Sequence, residues 1–352
     1  MKRYNNLWDN IININNIILS HKKARKGKSF YKEVKMINKY PLFYAKQIQK
    51  NLINKTFNTS KYEVSKIFDN KKIRTIYKLP YYPDRIVQHA LVNICENIWK
   101  NSFIRDTFQS IKGRGTNDAR KKVTNFFKKN KSFYVLKFDI NKYYPSINNE
   151  ILKSKIRKKI KCKNTLWLID NIIDSCNGIP IGNYTSQYFG NIYLYDFDWW
   201  IKQQLKPDSY YRYCDDIVVI DKCKNKLSHI KTLIFEKLKK EYLLDIKENW
   251  QLFHIDKKPL DFIGFRFFTY NNIKLRKSIA NSFKEKVKNI QKNYKHLNPY
   301  KIVNSIYSYW GWCKYVNAKK LWYRHIDNNV LKIINNSKVK LKEIQNASNI
   351  KR

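Results

Sequence analysis

Acidic residues are scarce in this chain of 352 residues. Only 27 aspartates and glutamates stand against 72 lysines and arginines, which gives a formal net charge of +45. A solvated surface does not need an excess this large, so we expect an acidic partner, with nucleic acid first among the candidates. Aromatic residues make up 15% of the chain and are interleaved with the bases, as surfaces that stack on bases and follow a phosphate backbone require.

Cysteine pairs at metal-ligand spacing are missing. The six cysteines are scattered along the chain, which favours buried or free thiols in a reducing cytosol over a zinc site. Long uninterrupted apolar runs are missing too. The segment from Ile11 to Leu19 alternates asparagine with isoleucine and lacks the apolar core of a signal peptide. With no stretch of membrane-spanning length, we expect a soluble, cytoplasmic protein without a membrane partner.

Two adjacent carboxylates, Asp215 and Asp216, lie between the β-favouring runs 211–213 and 217–220. Successive side chains on a strand point to opposite faces, so a tight hairpin would gather both acids at one exposed spot. Neighbouring carboxylates raise each other's pKa unless a cation joins them. Mg²⁺ prefers a few carboxylates together with substrate phosphates. The pattern therefore predicts a magnesium site, although an Asp-Asp pair also occurs in plain polar turns.

A third acid ends a buried strand. Residues 133–140 read as an apolar strand that reaches Asp139, and residues 141–147 then turn into a helix. An isolated acid at the end of an apolar strand is costly unless it is paired or bound to metal. We therefore expect Asp139 to join Asp215 and Asp216 in one site.

Two further stretches suit a nucleotide. The β-rich runs 62–68 and 73–79 flank a polar turn and predict a hairpin that carries Lys66, Lys72 and Arg74. A planar guanidinium binds phosphate oxygens in pairs, so this basic hairpin suits a triphosphate. Residues 178–187 form a glycine-proline turn, and an apolar helix follows to about Leu205. Glycines there would let backbone approach a ligand closely.

The rest of the chain reads more simply. Residues 1 to about 60 are predicted to be helical, and 261–267 read as a strand with a central glycine. From about 278 onward the chain is basic, helical and dotted with aromatic residues.

Taken in order, these elements resemble the motifs of reverse transcriptases, and the resemblance runs from about 21 to 323. It implies an α+β right-hand polymerase. N-terminal helices and fingers would occupy 1–125, a palm with an antiparallel sheet and the active site 126–270, and a helical thumb with a basic tail 271–352. The motifs are the basic hairpin, Asp139-Ile140-x-x-Tyr143-Tyr144, Gly178-x-Pro180-x-Gly182-x-x-x-Ser186-Gln187, Tyr213-Cys214-Asp215-Asp216 and Phe262-x-Gly264-Phe265.

Within that superfamily the chain most resembles the reverse transcriptases of bacterial diversity-generating retroelements. Ile181-Gly182-x-x-x-Ser186-Gln187 matches their altered version of a motif that elsewhere reads Gln-Gly-x-x-x-Ser-Pro. The basic run 23–28 and the segment 310–314 resemble their N-terminal motif and their thumb. Two alternatives stay open: an antiphage defence reverse transcriptase of the same fold, and, from another class, a catalytically decayed RNA-binding scaffold. The complete set of aspartates counts against decay.

The resemblance also implies roles for residues. It makes Asp139, Asp215 and Asp216 the catalytic ligands of two Mg²⁺ ions, for which Mn²⁺ may substitute, and adds the carbonyl of Ile140 as a ligand. Lys247 is either a group that protonates pyrophosphate or a plain surface lysine. The region from Phe262 to Phe265 matches the primer grip. The implied nucleotide-binding residues are Lys72 (or Lys66), Arg74, Tyr144 as the steric gate that excludes a 2′-hydroxyl, Ile181, Gly182 and Gln187.

Partners and behaviour follow from the same resemblance. We expect an RNA template, a DNA or RNA primer and dNTPs, and the resemblance leaves room for a small basic accessory protein. A glutamine in place of Ile181 could align the nascent base pair through its amide, whereas isoleucine has no such donor or acceptor. Ile181 therefore predicts an error-prone enzyme, and the resemblance implies a bacterial or phage origin.

Overall fold

The computed structural model describes residues 3–69, 72–270, 272–316 and 318–350, and only the backbone at 69, 72, 340 and 342–350. The chain divides into two compact units. The first consists of residues 1–115 and 136–252, and the second of residues 116–135 and 253–352. Helices and strands both contribute to each unit, so the α+β class is confirmed. The predicted fingers, palm and thumb boundaries at 125 and 270 stay a prediction.

The N-terminal helices of the first unit begin at residues suited to helix starts. The Asn13 side chain accepts a hydrogen bond of 2.9 Å from the Asn15 amide at the start of α2, and Pro41 opens α4. The helical prediction for this region is confirmed. The helices are α1 (Trp8–Ile12), α2 (Ile14–Ala24), α3 (Lys32–Lys39), α4 (Pro41–Ile53) and, after the short helical turn Tyr81–Arg85, the buried α5 (Ile86–Lys100).

The predicted basic hairpin is confirmed as β1 (Glu63–Asp69) and β2 (Lys72–Lys78), which pair antiparallel. Ile67 lies opposite Arg74, and Lys66 lies opposite Thr75. Because directly opposed residues share a face of the sheet, Lys66 and Arg74 lie on opposite faces.

The four-stranded sheet of the first unit has the order β4–β5–β3–β6. Strands β4 and β5 form an antiparallel hairpin, with Tyr213 opposite Asp216. The first two residues of β3 and the last two residues of β6 belong to the second unit. The strands are β3 (Tyr134–Asp139), β4 (Ser209–Tyr213), β5 (Asp216–Asp221) and β6 (Gln251–His254).

Further helices of the first unit connect and follow these strands along the chain. The predicted helical stretch does end at Leu205, but it is not a single helix. It is divided at Leu194, which leaves the helical region with φ −109° and ψ 7°, and its last part, Ile201–Leu205, is a π-helix. The helices are α7 (Tyr143–Ser146), α8 (Asn149–Arg157), α9 (Lys163–Asp174), α10 (Ser186–Tyr193), α11 (Tyr195–Trp200) and α12 (Lys224–Tyr242).

The second unit is built around a small antiparallel sheet. The strand expected at 261–267 is instead a hairpin of two strands, because Ile263 and Gly264 both have positive φ (48° and 83°), which turns the chain back within two residues. Its elements are α6 (Thr116–Lys129), β7 (Leu260–Phe262), β8 (Phe265–Phe267), β9 (Ile273–Leu275), α13 (Lys277–Asn293), the turn Tyr294–His296, α14 (Pro299–Cys313), α15 (Lys319–His325) and α16 (Asn328–Ile350). Among the described residues, none of the helices combines the length and apolarity needed to cross a bilayer.

Candidate active site

The end of the β4–β5 hairpin carries two of the three predicted acids. Tyr213 and Asp216 pair at the end of the hairpin, so Cys214 and Asp215 form the turn itself. Cys214 takes a left-handed conformation with φ 60°, which tight hairpins require but which is unfavourable for a residue other than glycine. The local pattern of the sequence therefore folds as predicted.

The third acid lies beside this turn. Asp139 is the last residue of β3, and β3 is the neighbour of β5 in the sheet. The amide of Ile140, the next residue, donates a hydrogen bond of 3.3 Å to the carbonyl of Asp215. The charge of Asp139 raises the pKa of both Asp215 and Asp216. The structure thus brings the three predicted acids together from two separate stretches of the chain.

Burial shapes the charge of the site. Desolvation raises the pKa of Asp216 to about 7, with help from Asp139 and Asp215 and against the charge of Lys137. Desolvation also raises the pKa of Asp215, against the charge of Lys247. Burial disfavours the ionised carboxylate, and neighbouring carboxylates add to that effect. An added cation at this point would lower both pKa values.

Two lysines already approach the acids. Lys137 Nζ lies 3.5 Å from Asp216 Oδ1, and Lys247 Nζ lies 3.7 Å from Asp215 Oδ2. Lys247 was predicted as a candidate and does face the site. Lys137 was missed, although its position two residues before Asp139 on a strand puts both side chains on one face of the sheet.

Residues that fit a divalent cation are present, although no ready-made cage exists. Within the described ranges, no three histidine, cysteine or acidic side chains are already arranged around a metal position. Asp216 Oδ1, however, is buried, and its partner is the Lys137 ammonium 3.5 Å away and not a close hydrogen-bond donor. A buried carboxylate oxygen that has only this loose ion pair and lies beside two other acids is costly, and an oxygen-seeking cation such as Mg²⁺ would coordinate it.

Tyr144, the predicted steric gate, is held on two sides. The Cys214 thiol donates a hydrogen bond of 3.5 Å to its hydroxyl. A Cβ on Gly190 would lie 3.1 Å from ring atom Cε1 of Tyr144, so the glycine makes room for the ring. Burial raises the pKa of Tyr144 strongly and that of Cys214 to about 12, so both groups are neutral. The contribution of Gly190 could not be read from the sequence, because nothing local links it to Tyr144.

The glycine-proline turn is fastened to the basic hairpin. The Tyr77 amide of β2 donates a hydrogen bond of 2.9 Å to the carbonyl of Ile181. Gly182 has φ 138°, and a Cβ on it would lie 2.1 Å from the carbonyl oxygen of Tyr77. The glycine is therefore required by the adjacent strand. Its predicted approach to a nucleotide stays a prediction.

Other predicted residues are distributed around this centre. Gln187 is exposed in the first turn of α10, whereas its neighbour Ser186 is buried and donates a hydrogen bond of 2.7 Å to the Pro180 carbonyl. Arg74 is exposed on β2, and the side chain of Lys72 lies outside the described residues. Because Lys66 faces away from Arg74, it does not complete a phosphate site with Arg74.

The predicted primer grip lies in the second unit. Phe262 and Phe265 are both buried, and the ring of Phe265 packs against Trp312 with centroids 5.3 Å apart. These rings serve the core of the unit. A primer contact in this region would therefore come from backbone or from other side chains, and the assignment stays a prediction.

Solved structures of low sequence identity match this chain. Apo telomerase from Candida tropicalis matches with a TM-score of 0.52 at 14% identity, over 78% of this chain and 59% of that chain. The same telomerase without its C-terminal domain matches with a TM-score of 0.48 at 15% identity, over 65% of this chain and 59% of that one. Candida albicans telomerase, in complex with a TWJ fragment of telomeric RNA, matches with a TM-score of 0.48 at 12% identity, over 86% and 68% of the two chains.

The apo telomerase structure with a TM-score of 0.52 shows a shared fold and nothing finer. The chain spans 59% of the length of the Candida tropicalis chains. No curated protein matches the chain. The family model for reverse transcriptase (RNA-dependent DNA polymerase) matches residues 53–267, which include the basic hairpin, the three acids and the glycine-proline turn. The chain belongs to the reverse transcriptase (RNA-dependent DNA polymerase) family.

Proposed function

We propose that this chain is an RNA-directed DNA polymerase that extends a primer on an RNA template by two-metal nucleotidyl transfer. One observation carries the proposal. The buried Asp216 carboxylate, whose Oδ1 has only the Lys137 ammonium 3.5 Å away as a partner, lies at a hairpin where Asp139 and Asp215 converge, within the part of the chain that matches the family. Reverse transcriptases generally use divalent metal ions, and the acids here suit them.

Each part of the site has a task in that reaction. Asp139, Asp215 and Asp216, with the Ile140 carbonyl, would hold two Mg²⁺ or Mn²⁺ ions. Bound metal would supply activation of the primer 3′-hydroxyl and neutralisation of the pyrophosphate leaving group. Lys137 and Lys247 would balance the acids while the site is empty of nucleotide. Arg74 would bind the triphosphate, and Tyr144 would bar a 2′-hydroxyl.

A basic hollow in the second unit supports a nucleic-acid partner. It has a volume of about 740 Å³ and is lined by Arg120, Lys128, Lys314, Lys319 and Lys320, with Tyr315 beside them. Clustered cations of this kind bind phosphates through release of counterions, and a tyrosine can stack on a base. RNA template and primer are therefore the partners we propose.

The experiment is primer extension on a defined RNA template with dNTPs and Mg²⁺. Wild type should extend the primer, and Asp215→Asn should lose several orders of magnitude in rate, because the metal and electrostatic contributions are the largest in this chemistry. Asp256→Asn, at an exposed acid in the second unit, is the matched control and should extend at the wild-type rate. Extension by Asp215→Asn at near wild-type rate would contradict the proposal.

For the biological role we propose mutagenic copying in a diversity-generating retroelement. The support is the sequence Ile181-Gly182-x-x-x-Ser186-Gln187 and the basic run 23–28. An antiphage defence enzyme of the same fold is the alternative. Inspection of the neighbouring DNA for a pair of repeats that differ mainly at adenines would decide between them.

A further inference from the structure

A charged pair is buried directly beneath the catalytic hairpin. Arg212 on β4 and Asp198 on α11 both have side chains with 0% exposure. Arg212 Nε donates to Asp198 Oδ1 at 2.7 Å, and its Nη2 donates to Asp198 Oδ2 at 2.6 Å. Such a two-point pair fixes the plane of the guanidinium as well as its position.

The carboxylate of this pair is fully engaged. The Tyr210 hydroxyl donates to Asp198 Oδ1 at 2.7 Å, and the Thr107 hydroxyl donates to Asp198 Oδ2 at 2.9 Å. Asp198 therefore accepts four hydrogen bonds and cannot turn. A buried ion pair is weak evidence for added stability, because desolvation offsets the attraction. The value of this pair lies in the geometry that it imposes.

The remaining nitrogen of Arg212 points toward the catalytic turn. Its Nη1 donates to the carbonyl of Cys214 and to Asn191 Oδ1, both at 3.3 Å. The Cys214 carbonyl belongs to the peptide that leads into Asp215. Cys214 is also the residue with φ 60°, a conformation that a non-glycine residue keeps only when its surroundings hold it.

The backbone of Arg212 is clamped as well. Its amide donates to the Asp106 carbonyl at 3.0 Å, and its carbonyl accepts from the Phe108 amide at 3.1 Å. Asn191, the second partner of Nη1, is itself held because its Nδ2 donates to the Gln109 carbonyl at 2.8 Å. Arg212 is thus fixed at both its backbone and its guanidinium, and the peptide before Asp215 is attached to that fixed point.

We propose that Arg212, held by Asp198, is a positioning residue for the catalytic hairpin. It keeps the Cys214–Asp215 peptide in the orientation that brings Asp215 and Asp216 to Asp139. The inference rests on the proposed polymerase function. Arg212 sets the rate of the chemical step and the metal requirement, and it has little effect on nucleotide or RNA affinity.

The test compares wild type with the double variant Arg212→Met, Asp198→Leu, which removes both buried charges together and leaves neither one alone. We expect a drop of at least 100-fold in kcat with less than a threefold change in dNTP KM and in RNA affinity. The Mg²⁺ concentration for half-maximal rate should rise at least tenfold. Hydrogen exchange of the amides in 209–221 should accelerate at least tenfold, with the rest of the first unit unchanged.

The matched control is Lys155→Met, which breaks the partly buried Lys155–Asp196 pair between α8 and α11 and should leave the Mg²⁺ requirement as in wild type. A folded double variant with wild-type kcat and Mg²⁺ requirement overturns the inference. If the double variant fails to fold, Arg212→Lys decides. Lysine keeps the charge but lacks the planar fork, so a raised Mg²⁺ requirement supports the inference and an unchanged one overturns it. Inactivity of wild type in primer extension would instead count against the proposed function.

Discussion

The amide of Tyr77 donates a hydrogen bond of 2.9 Å to the carbonyl of Ile181. Tyr77 belongs to the same strand as Arg74, the predicted triphosphate ligand, and Ile181 is the residue predicted to govern fidelity. One backbone hydrogen bond therefore joins the two parts of the proposed nucleotide site. Movement of the basic hairpin must move the turn with it, and a change at this contact should alter nucleotide binding.

Gly182→Ala should weaken that contact. Its Cβ would lie 2.1 Å from the Tyr77 carbonyl oxygen at φ 138°, a conformation open almost only to glycine and costing other residues about 1–3 kcal/mol. We expect a dNTP KM raised at least tenfold and a lower melting temperature. Steady-state primer extension and thermal unfolding measure both. Gly115→Ala, where a Cβ would meet nothing within 4 Å, is the control; a wild-type KM for Gly182→Ala would refute the contact's role.

Asp216→Asn should stabilise the metal-free protein at alkaline pH while it abolishes polymerisation. Burial raises the pKa of Asp216 to about 7 from an ordinary value of 3.8. Between those values the folded state holds a proton that the unfolded state has lost, so this group's contribution to stability falls as pH rises toward 7. Asparagine stays neutral and avoids that loss, which we put on the order of 1–3 kcal/mol.

The measurement is thermal unfolding in EDTA at pH 5 and pH 8. The melting temperature of the variant should exceed that of wild type by more at pH 8 than at pH 5. This difference should shrink when Mg²⁺ is added to wild type. Equal melting temperatures of Asp216→Asn and wild type at pH 8 would show that burial of the Asp216 carboxylate does not destabilise the folded protein.

Tyr144→Ala should admit ribonucleotides. The Tyr144 side chain accepts a hydrogen bond from Cys214, and its ring fits into the space beside Gly190. In this position the ring would block a 2′-hydroxyl, and its removal opens that volume. We expect discrimination between dNTP and rNTP, expressed as the ratio of kcat/KM values, to fall at least 100-fold, with dNTP use retained.

The neighbouring Tyr143→Phe is the matched control. The Tyr143 hydroxyl donates to the Gly190 carbonyl, so its loss costs about 1 kcal/mol of stability and should leave sugar choice unchanged. If Tyr144→Ala rejects ribonucleotides as strongly as wild type, another residue forms the gate.

Ile181→Gln should lower the error rate. Glutamine restores an amide that can test the geometry of the nascent pair, whereas an apolar wall distinguishes shapes by a few kcal/mol at best. The substitution spares the Tyr77 contact, because that bond uses the backbone of residue 181. Sequencing cDNA made from a defined RNA measures the effect. Wild-type errors spread evenly over the four template bases would favour the defence alternative over the retroelement.

Much of the candidate site was predictable because its signals are local. The hairpin that carries Asp215 and Asp216 follows from two β-favouring runs with a short connection, and Asp139 follows from the apolar strand before it. The basic hairpin around Arg74 was predicted for the same reason. Alternation along a strand and tight-turn geometry are properties of a few consecutive residues, so both can be predicted directly from the sequence.

Other features required the folded chain. Arg212 was not singled out from the sequence, yet it is buried against Asp198, fourteen positions earlier. Gly182 was predicted to approach a nucleotide, and only the fold shows that it lies against Tyr77; the contact between Gly190 and Tyr144 likewise appears only in the fold. The turn at Ile263 and Gly264 was read as a strand because two short β runs around a glycine resemble one interrupted strand.

By itself, the sequence determined the family motifs, the α+β class and the order of the acidic, basic and glycine-rich segments. Tertiary structure alone decided which side chains neutralise, orient and make room for the catalytic ones. The physical reason is that periodicity and turn chemistry act within a few residues, whereas burial and ion pairing depend on which distant segments the fold brings into contact.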